Sequence, residues 1–486
     1  MAKFYLTSAI PYVNSSPHVG HALEFVQTDC IARYHKLLGE DVLTLCGGDE
    51  NALKNVQAAE KTGAPVQEFV DKNNKLFEEL AIKLNARYDI WQKGSDQKHH
   101  FPSSQKLWEL CAANIAPDGK PDIFKKSYEG LYCVGCEAFY ESEELNEHSE
   151  CFEHPGKSLE RVKEENLFFR LSRYQERLIQ IIKGEDTEFR LEIVPEKRKN
   201  EVLSFLDRGL KDISISRSNE RAKNWGVPVP GDLAQRMYVW FDALNIYQSG
   251  VGFGWDENMY KKWWPADVHV IGKGITRFHA IYWPAFLLSA GLKPPKSLFV
   301  HEYFTVNGQK MSKTLGNVID PFELIQKYGA DPLRYYFLAK FSPFNDGDFS
   351  EEEFKKTYNA DLANGLGNLV ARVAKLAEGK SYHVSPIAYH DINTKAYKKA
   401  LEEFRFNDAL ALVWGKIKEA DRLVDEKQPW KLTGNHLEAF IGEVAPRIVE
   451  IATLLQPFLP QTAEKILEQF QGPTIASQPP LFPRIS

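Results

Sequence analysis

The sequence predicts an α/β protein, in which a parallel-sheet domain is interrupted by an insert of different character and followed by an all-α helical bundle. Three observations carry this reading. Strand, helix and strand patterns follow one another at the start of the chain, as in a βαβ unit. That alternation breaks off at Pro117-Asp118-Gly119-Lys120-Pro121 and resumes only after Trp225-Gly226-Val227-Pro228-Val229-Pro230-Gly231. From Ser350 onward the strand signals fade and long helical periodicities remain, the pattern of a bundle.

The elements follow in order. Phe4 to Thr7 is aromatic and β-favouring and predicts a short buried strand. Pro11, Asn14, Ser15, Ser16 and Pro17 make the next stretch a loop. Val19, Ala22, Leu23, Val26, Cys30, Ile31, Tyr34 and Leu38 recur at helical spacing, with Ser16 as the expected cap and Pro17 in the first turn. His18, Gly20 and His21 then sit where free N–H groups and the positive end of a helix favour a phosphate. Val42, Leu43, Leu45 and Cys46 predict a second strand ending in Gly47-Gly48-Asp49-Glu50. Both the histidine turn and Asp49 fall at strand carboxyl ends, so they are expected to face one crevice.

Helical patterns at 51–61, 66–84 and 103–115 flank a strand at Tyr88-Asp89-Ile90-Trp91. After the insert, Asp267 to Gly272 and Ser297 to Tyr303 predict strands. Arg277 to Ser289 between them predicts a helix, kinked or shortened by Pro284. Asn307-Gly308 is a hairpin signal, directly followed by Lys310-Met311-Ser312-Lys313-Thr314. Helices at 351–378, 393–405, 406–426, 437–456 and 459–470 complete the chain.

Composition narrows the class. The 486 residues carry 60 Lys+Arg against 66 Asp+Glu, a formal charge of −6, which disfavours a generally basic nucleic-acid binder but leaves room for a local basic face. No basic-then-apolar leader opens the chain and no apolar run approaches the ~18 residues of a membrane span; a cytoplasmic chain with no membrane partner is expected. Cys30, Cys46 and Cys111 are scattered and read as small buried hydrophobes.

The clustered cysteines read differently. Cys133-x2-Cys136 and Cys151-x2-His154 present three thiols and an imidazole in two close pairs, the donor set of a closed structural Zn2+ site. A redox CxxC is the alternative, but no βαβ context surrounds Cys133; His148 lies in the same loop as another candidate fourth ligand. The two histidines alone could be surface residues, and Lys310 with Lys313 a solvated basic loop. Gly20 tilts the first case, since a glycine in a helical turn costs stability unless something needs close approach. Two convergent ammonium groups beside a sheet's carboxyl edge suit a polyphosphate.

Taken together, His18-Val19-Gly20-His21 and Lys310-Met311-Ser312-Lys313-Thr314 resemble the HIGH and KMSKS signatures of the class I aminoacyl-tRNA synthetases. The chain is similar from end to end to the methionyl-tRNA synthetase family within that class. The matching stretches are AIPYVNSSPHVGH (9–21), GLYCVGCEAFY (130–140), EENLFFRLS (164–172), VWFDALNIY (239–247), FHAIYWP (278–284), HEYFTVNGQKMSK (301–313), DEKQPW (425–430) and PLFPRI (480–485). The resemblance implies a Rossmann-type catalytic domain split by a zinc-knuckle connective insert, followed by an anticodon-binding helical bundle. The expected boundaries are 1–116 and 232–302 for the two catalytic halves, 117–231 for the insert, 303–349 for a stem-contact region with the KMSKT loop, and 350–486 for the bundle.

It also implies roles. His18 and His21 with Lys310 and Lys313 would be catalytic, and Gly20, Met311 and Ser312 would join them in binding ATP with its Mg2+. Ile10, Tyr12, Asp49, Trp240, Ala243, Leu244, Tyr247, His279, Ile281, Tyr282 and Trp283 would form the L-methionine pocket, with Asp49 pairing the substrate ammonium. For Trp240, Tyr247 and Trp283 the residues alone favour ordinary core packing. Cys133, Cys136, Cys151 and His154 would hold one structural zinc. Asn368, Arg372 and Trp430 would read the anticodon of tRNA(Met), Trp430 otherwise being an interhelical core residue.

The family often has Asp-Glu-His-Gly where Asp49-Glu50-Asn51-Ala52 stands, serine at Thr314 and asparagine at Asp421. The insert is too short for the hydrolytic editing domain of the isoleucine, leucine and valine enzymes. The expected activity is ATP-dependent formation of methionyl-adenylate and transfer to tRNA, by a monomer, since no further module follows the bundle. The rivals are a class I synthetase for another apolar amino acid, a catalytically silent paralogue, and a small-molecule adenylyltransferase.

Overall fold

The computed structural model describes residues 2–133, 138–140, 145–151, 156–309, 311, 317–380, 384–392, 394–471 and 474–485. It opens with β1 (Lys3–Ser8), α1 (Val19–Leu37) and β2 (Asp41–Gly48). Helices at Leu53–Thr62 and Val66–Lys83 lead to β3 (Ile90–Lys93) and a helix at His100–Ala113. β4 (Ile123–Cys133), β5 (Ala138–Tyr140), β6 (Glu160–Phe169), β7 (Glu192–Val194) and β8 (Ile213–Ser214) follow. After them come β9 (Ser216–Ser218), β10 (Pro228–Val229), β11 (Asp232–Met237), β12 (Val268–Gly272), β13 (Ser297–His301), β14 (Phe304–Val306) and β15 (Gly347–Phe349).

Six of these strands form one sheet in the order β3-β2-β1-β12-β13-β7, and every pairing in it is parallel. The chain runs outward from β1 through β2 to β3 on one side and from β12 to β13 on the other, where the earlier β7 adds the edge. The topological switch point, where such sheets bind ligands beyond their carboxyl ends, therefore lies between β1 and β12. β7 falls within the 117–231 range yet pairs with β13 at the sheet's edge. The rest of that range builds a four-stranded antiparallel sheet, β5-β4-β6-β8, and most of a small one, β10-β11-β9.

Local chemistry explains where the elements depart from the periodicity. The helix around Pro284 is split: Phe278–Tyr282 is π-helical and Trp283–Ser289 is α-helical with the proline in its first turn. Its missing N–H thus falls where the helical register changes from π to α. Asn307 and Gly308 take positive φ of 51° and 74°, and Val306 and Gln309 exchange backbone hydrogen bonds at 2.8 and 3.1 Å. The tight turn is thus formed, but the ladder partner of β14 is β15, in parallel.

Helices Glu351–Thr357 and Asn368–Ala377 flank a π-helical stretch, Tyr358–Gly367, and Lys395–Glu402, Phe406–Lys427, Gly434–Leu455 and Pro460–Gln471 follow. Their apolar faces merge with those of α1 and the helix Ala330–Lys340 into one continuous core. A second core lies behind the other face of the sheet and holds Trp240, Tyr247 and Trp283. Cys30, Cys46 and Cys111 are buried, as expected for small hydrophobes. Arg334, fully buried, donates to the carbonyls of Leu84, Pro457 and Phe458 at 3.3, 3.0 and 2.8 Å and pairs with Asp29 of α1 at 2.7 Å. Among the described residues no helix is long and apolar enough to cross a membrane.

Candidate active site

The cap of α1 is His18 rather than Ser16. Its Nδ1 accepts from the Gly20 N–H at 3.1 Å, and the His21 Nδ1 accepts from the His18 N–H at 3.2 Å. The two rings lie 3.9 Å apart between centroids, and the far side of His21 meets the edge of Phe77. The Val19 N–H donates to the Ile319 carbonyl at 3.4 Å. The first-turn N–H groups are therefore consumed within the chain rather than offered to an anion. What the turn offers instead is set by tautomerism. A neutral imidazole that accepts at Nδ1 carries its proton at Nε2, so the turn carries an Nε2–H donor on each ring. Burial, then the neighbouring His18, holds the His21 pKa well below the usual histidine range, so that ring is neutral near pH 7.

Gly20 has a specific reason to be glycine. A Cβ there would lie 2.8 Å from the His18 Cε1 and 3.0 Å from its Nδ1, with the Met311 Cε 3.7 Å away. The ring folds over the bare Cα, and the Met311 side chain comes to the same spot. Lys310, Ser312, Lys313 and Thr314 lie outside the described residues.

Beside this turn, at the ends of β1 and β2, Tyr12 and Asp49 form an isolated parallel bridge, with the Asp49 N–H donating to the Pro11 carbonyl at 2.9 Å. Tyr12 meets Trp240 edge-on at 6.2 Å, and Trp240 meets His279 at 6.4 Å. The His279 Nδ1 donates to the Ile275 carbonyl at 3.0 Å, which leaves its Nε2 to accept from the Tyr247 hydroxyl at 2.7 Å. Burial pushes the His279 pKa down to about 4. The structure thus brings Tyr12, Asp49, Trp240, Tyr247 and His279 together from four segments in one run of contacts. Ala243 and Leu244 are buried on the same short stretch as Trp240, and Ile10 is half-buried. Ile281 and Trp283 are completely buried, Trp283 packing edge-on against Trp264 at 5.9 Å, and Tyr282 meets Phe278.

Sequence reasoning passed over several neighbours. Phe278 stacks on Trp240 at 3.8 Å, and the Lys54 Nζ sits 2.7 Å from the Tyr12 ring centroid. His269 lies under Tyr247 at 4.3 Å, its Nδ1 bonded to the Thr7 hydroxyl at 2.6 Å and its Nε2 buried without a partner. The signal for His269 was available: it is the one polar residue in the apolar strand Val268-His269-Val270-Ile271. Lys54 carried none, because its neighbours look like any helix start.

Of the four expected metal ligands, Cys133 and Cys151 are buried and form no disulfide; Cys136 and His154 lie outside the described residues. Cys133 ends β4 and pairs with Ala138 of β5. Among the described residues no group of three His, Cys, Asp or Glu could hold a metal ion. In the bundle, Asn368 opens the helix that carries Arg372. Arg372 bridges Asp421 at 2.8 Å and Asp425 at 2.6 Å. Trp430 is 59% exposed on a 3-10 turn, Pro429–Lys431, so it is not an interhelical core residue.

Comparison with known proteins gives one consistent outcome. The family described as tRNA synthetases class I (M) matches residues 4–374. The methionine–tRNA ligase of Brucella melitensis is 40% identical over 491 residues, covering 97% of this chain and 92% of its own length. That of Thermotoga maritima is 38% identical, covering 96% of this chain and 75% of its own. A solved structure of Mycobacterium tuberculosis methionyl-tRNA synthetase in complex with methionyl-adenylate matches with a TM-score of 0.89 at 35% identity, covering 100% of both chains.

Proposed function

This chain belongs to the methionine branch of the class I tRNA synthetases, activating methionine as the adenylate and charging tRNA with it, and we propose that the crevice between β1 and β12 is where it does so. The observation that carries the reading is the pair of imidazole Nε2–H donors fixed by His18 and His21, with Met311 of the KMSKT stretch against the same turn.

The chemistry follows from that arrangement. Methionine carboxylate attacks the α-phosphate of ATP, and negative charge builds on the phosphate oxygens as pyrophosphate leaves. Two neutral N–H donors held by backbone hydrogen bonds need no reorganisation to meet that charge. Lys310 and Lys313 supply positive charge to the leaving phosphates, Gly20, Met311 and Ser312 complete the nucleotide site, and Mg2+ accompanying ATP neutralises part of the phosphate charge. Asp49 pairs the substrate ammonium, and aromatic walls led by Tyr12, Trp240 and Tyr247 accept the polarizable thioether. Ile10, Ala243, Leu244, His279, Ile281, Tyr282 and Trp283 complete or back that pocket. No enzyme nucleophile is required; positioning and electrostatics do the chemistry.

A single structural Zn2+ held by Cys133, Cys136, Cys151 and His154 would pin the insert. The two described thiols suit it, being buried and free of any disulfide. Asn368, Arg372 and Trp430 make the bundle the anticodon reader, Trp430 stacking on an unpaired base. The Asp421 and Asp425 carboxylates on Arg372 give way to the base edge when RNA binds. The domain boundaries are those set out from the sequence, except that β7 within the insert range joins the edge of the catalytic sheet, and the protein works as a cytoplasmic monomer. Methionine-stimulated ATP–pyrophosphate exchange tests the assignment: stimulation by methionine and by no other standard amino acid is expected, and equal stimulation by leucine or isoleucine refutes it.

A further inference from the structure

Asn51 stands two residues beyond Asp49, on the turn that closes one side of the methionine pocket. Its amide spends both hydrogens on fixed partners: Nδ2 donates to the Gly94 carbonyl at 2.7 Å and to the Asp242 Oδ2 at 2.6 Å. Asp242 belongs to the opposite side, on the short helix Val239–Ala243 that also carries Trp240 and Ala243. It is only 1% exposed. Its other oxygen accepts from the His100 ring at 2.7 Å and the Ser104 hydroxyl at 3.1 Å, and the second His100 nitrogen meets the Ser249 hydroxyl at 2.8 Å. Asn245 reaches the Ser103 and Ser104 hydroxyls from the same side at 3.0 and 3.1 Å.

We propose that Asn51 and Asp242 are positioning residues for methionine, a hydrogen-bonded strut that sets the separation between the turn bearing Asp49 and the helix bearing Trp240. This rests on the pocket assignment above. The physical case is one of cost and direction. A carboxylate buried this deeply is expensive unless every oxygen is bonded, and an apolar pair would fill the same volume more cheaply. What the carboxylate adds is a fixed direction. His100 and Ser104 anchor one oxygen to the helix His100–Ala113, and the other oxygen holds Asn51. Gly94, which holds the other amide hydrogen, lies just past β3 at the same sheet edge, so the Asn51 turn is held from two sides. Either wall could shift without breaking the sheet; the strut removes that freedom.

The test is methionine-dependent ATP–pyrophosphate exchange with Asn51→Ala and Asn51→Asp, alongside calorimetric titration with methionine alone. Asn51→Ala removes the strut, and Asn51→Asp sets a second carboxylate against Asp242. The KM and Kd for methionine are expected to rise about tenfold for Asn51→Ala, equivalent to about 1.4 kcal/mol, and further for Asn51→Asp. The KM for ATP should stay close to the parent value, while the thermal midpoint falls for both variants because the buried Asp242 Oδ2 loses its donor. Should Asn51→Asp fail to fold, Ser104→Ala, which removes a donor from the far side of the same carboxylate, is expected to raise the methionine KM by a smaller factor. Asp49→Asn separates the two levels of the argument. If it leaves the methionine KM unchanged, the pocket assignment fails. If it raises that KM while both Asn51 variants leave it unchanged, or move the ATP KM equally, the strut is refuted.

Discussion

Replacing Gly20 by alanine should separate stability from catalysis. The new Cβ would stand 2.8 Å from the His18 Cε1, about 0.7–1.2 Å inside an ordinary carbon–carbon contact. The backbone is helical there, so alanine fits it and contributes roughly 0.8–1.0 kcal/mol of helix propensity over glycine. The His18 ring must swing away, which breaks its hydrogen bond from the Gly20 N–H and costs about 1 kcal/mol of cap. The two nearly cancel, so the melting midpoint should move little. Catalysis does not share that cancellation. A displaced ring no longer presents its Nε2–H where charge develops, and a misplacement of this order costs roughly ten- to a hundredfold in kcat. Pyrophosphate exchange under saturating methionine, with a melting curve on the same sample, reads both. Wild-type kcat in a folded Gly20→Ala protein would refute the role given to the ring's position; a large fall in melting point would refute the energy balance.

Trp430→Ala should depress tRNA charging while leaving pyrophosphate exchange nearly intact, since the ring is exposed and far from the crevice in sequence; equal loss of both activities would sink the anticodon role. Burial holds His279 at a pKa of about 4 against 6.5 in the open chain, so the unfolded state takes up a proton first as pH falls. Its contribution to stability is full above pH 6.5 and is lost progressively down to about pH 4, roughly 3 kcal/mol over that window. His279→Gln should flatten that slope in urea titrations, and an unchanged slope would refute the assignment. Chelation of zinc should reduce charging through disorder of the insert, not through lost Lewis acidity; activity that tracked the identity of a substituted metal would contradict this.

The order of strands and helices was readable because hydrophobic period and glycine–proline punctuation agree along most of the chain. The cap of α1 was misread for a local reason: serine is the commoner cap, and nothing in sequence shows that two imidazoles can close a capping box between themselves. That error hid the larger point, that ring Nε2–H groups replace backbone N–H groups as the donors. The strand β7 was missed because three residues of pattern, Glu192-Ile193-Val194, are too few to announce a strand inside an insert. Trp430 and Trp283 look alike in sequence, yet one stands in solvent and the other is fully buried. Long-range packing separates them, and no local pattern carries it. The Asn51–Asp242 contact joins residues 191 apart, beyond the reach of any reading by period or spacing.

Arg334 gives the bundle a different status from that of an appended module. Its guanidinium ties the helix that begins at His18 to the loop between the last two long helices, and the apolar core around it runs unbroken from α1 to Phe482. Separating the two parts would take the Pro457 and Phe458 carbonyls away from the buried Arg334 guanidinium, a penalty of about 1–3 kcal/mol for each lost partner set against a net stability of only about 5–15 kcal/mol for a typical folded protein. Heat or denaturant should therefore meet a single cooperative unit. The nucleotide crevice and the helices assigned to the anticodon would melt together, and the histidine turn would lose its shape when the far end of the chain lets go.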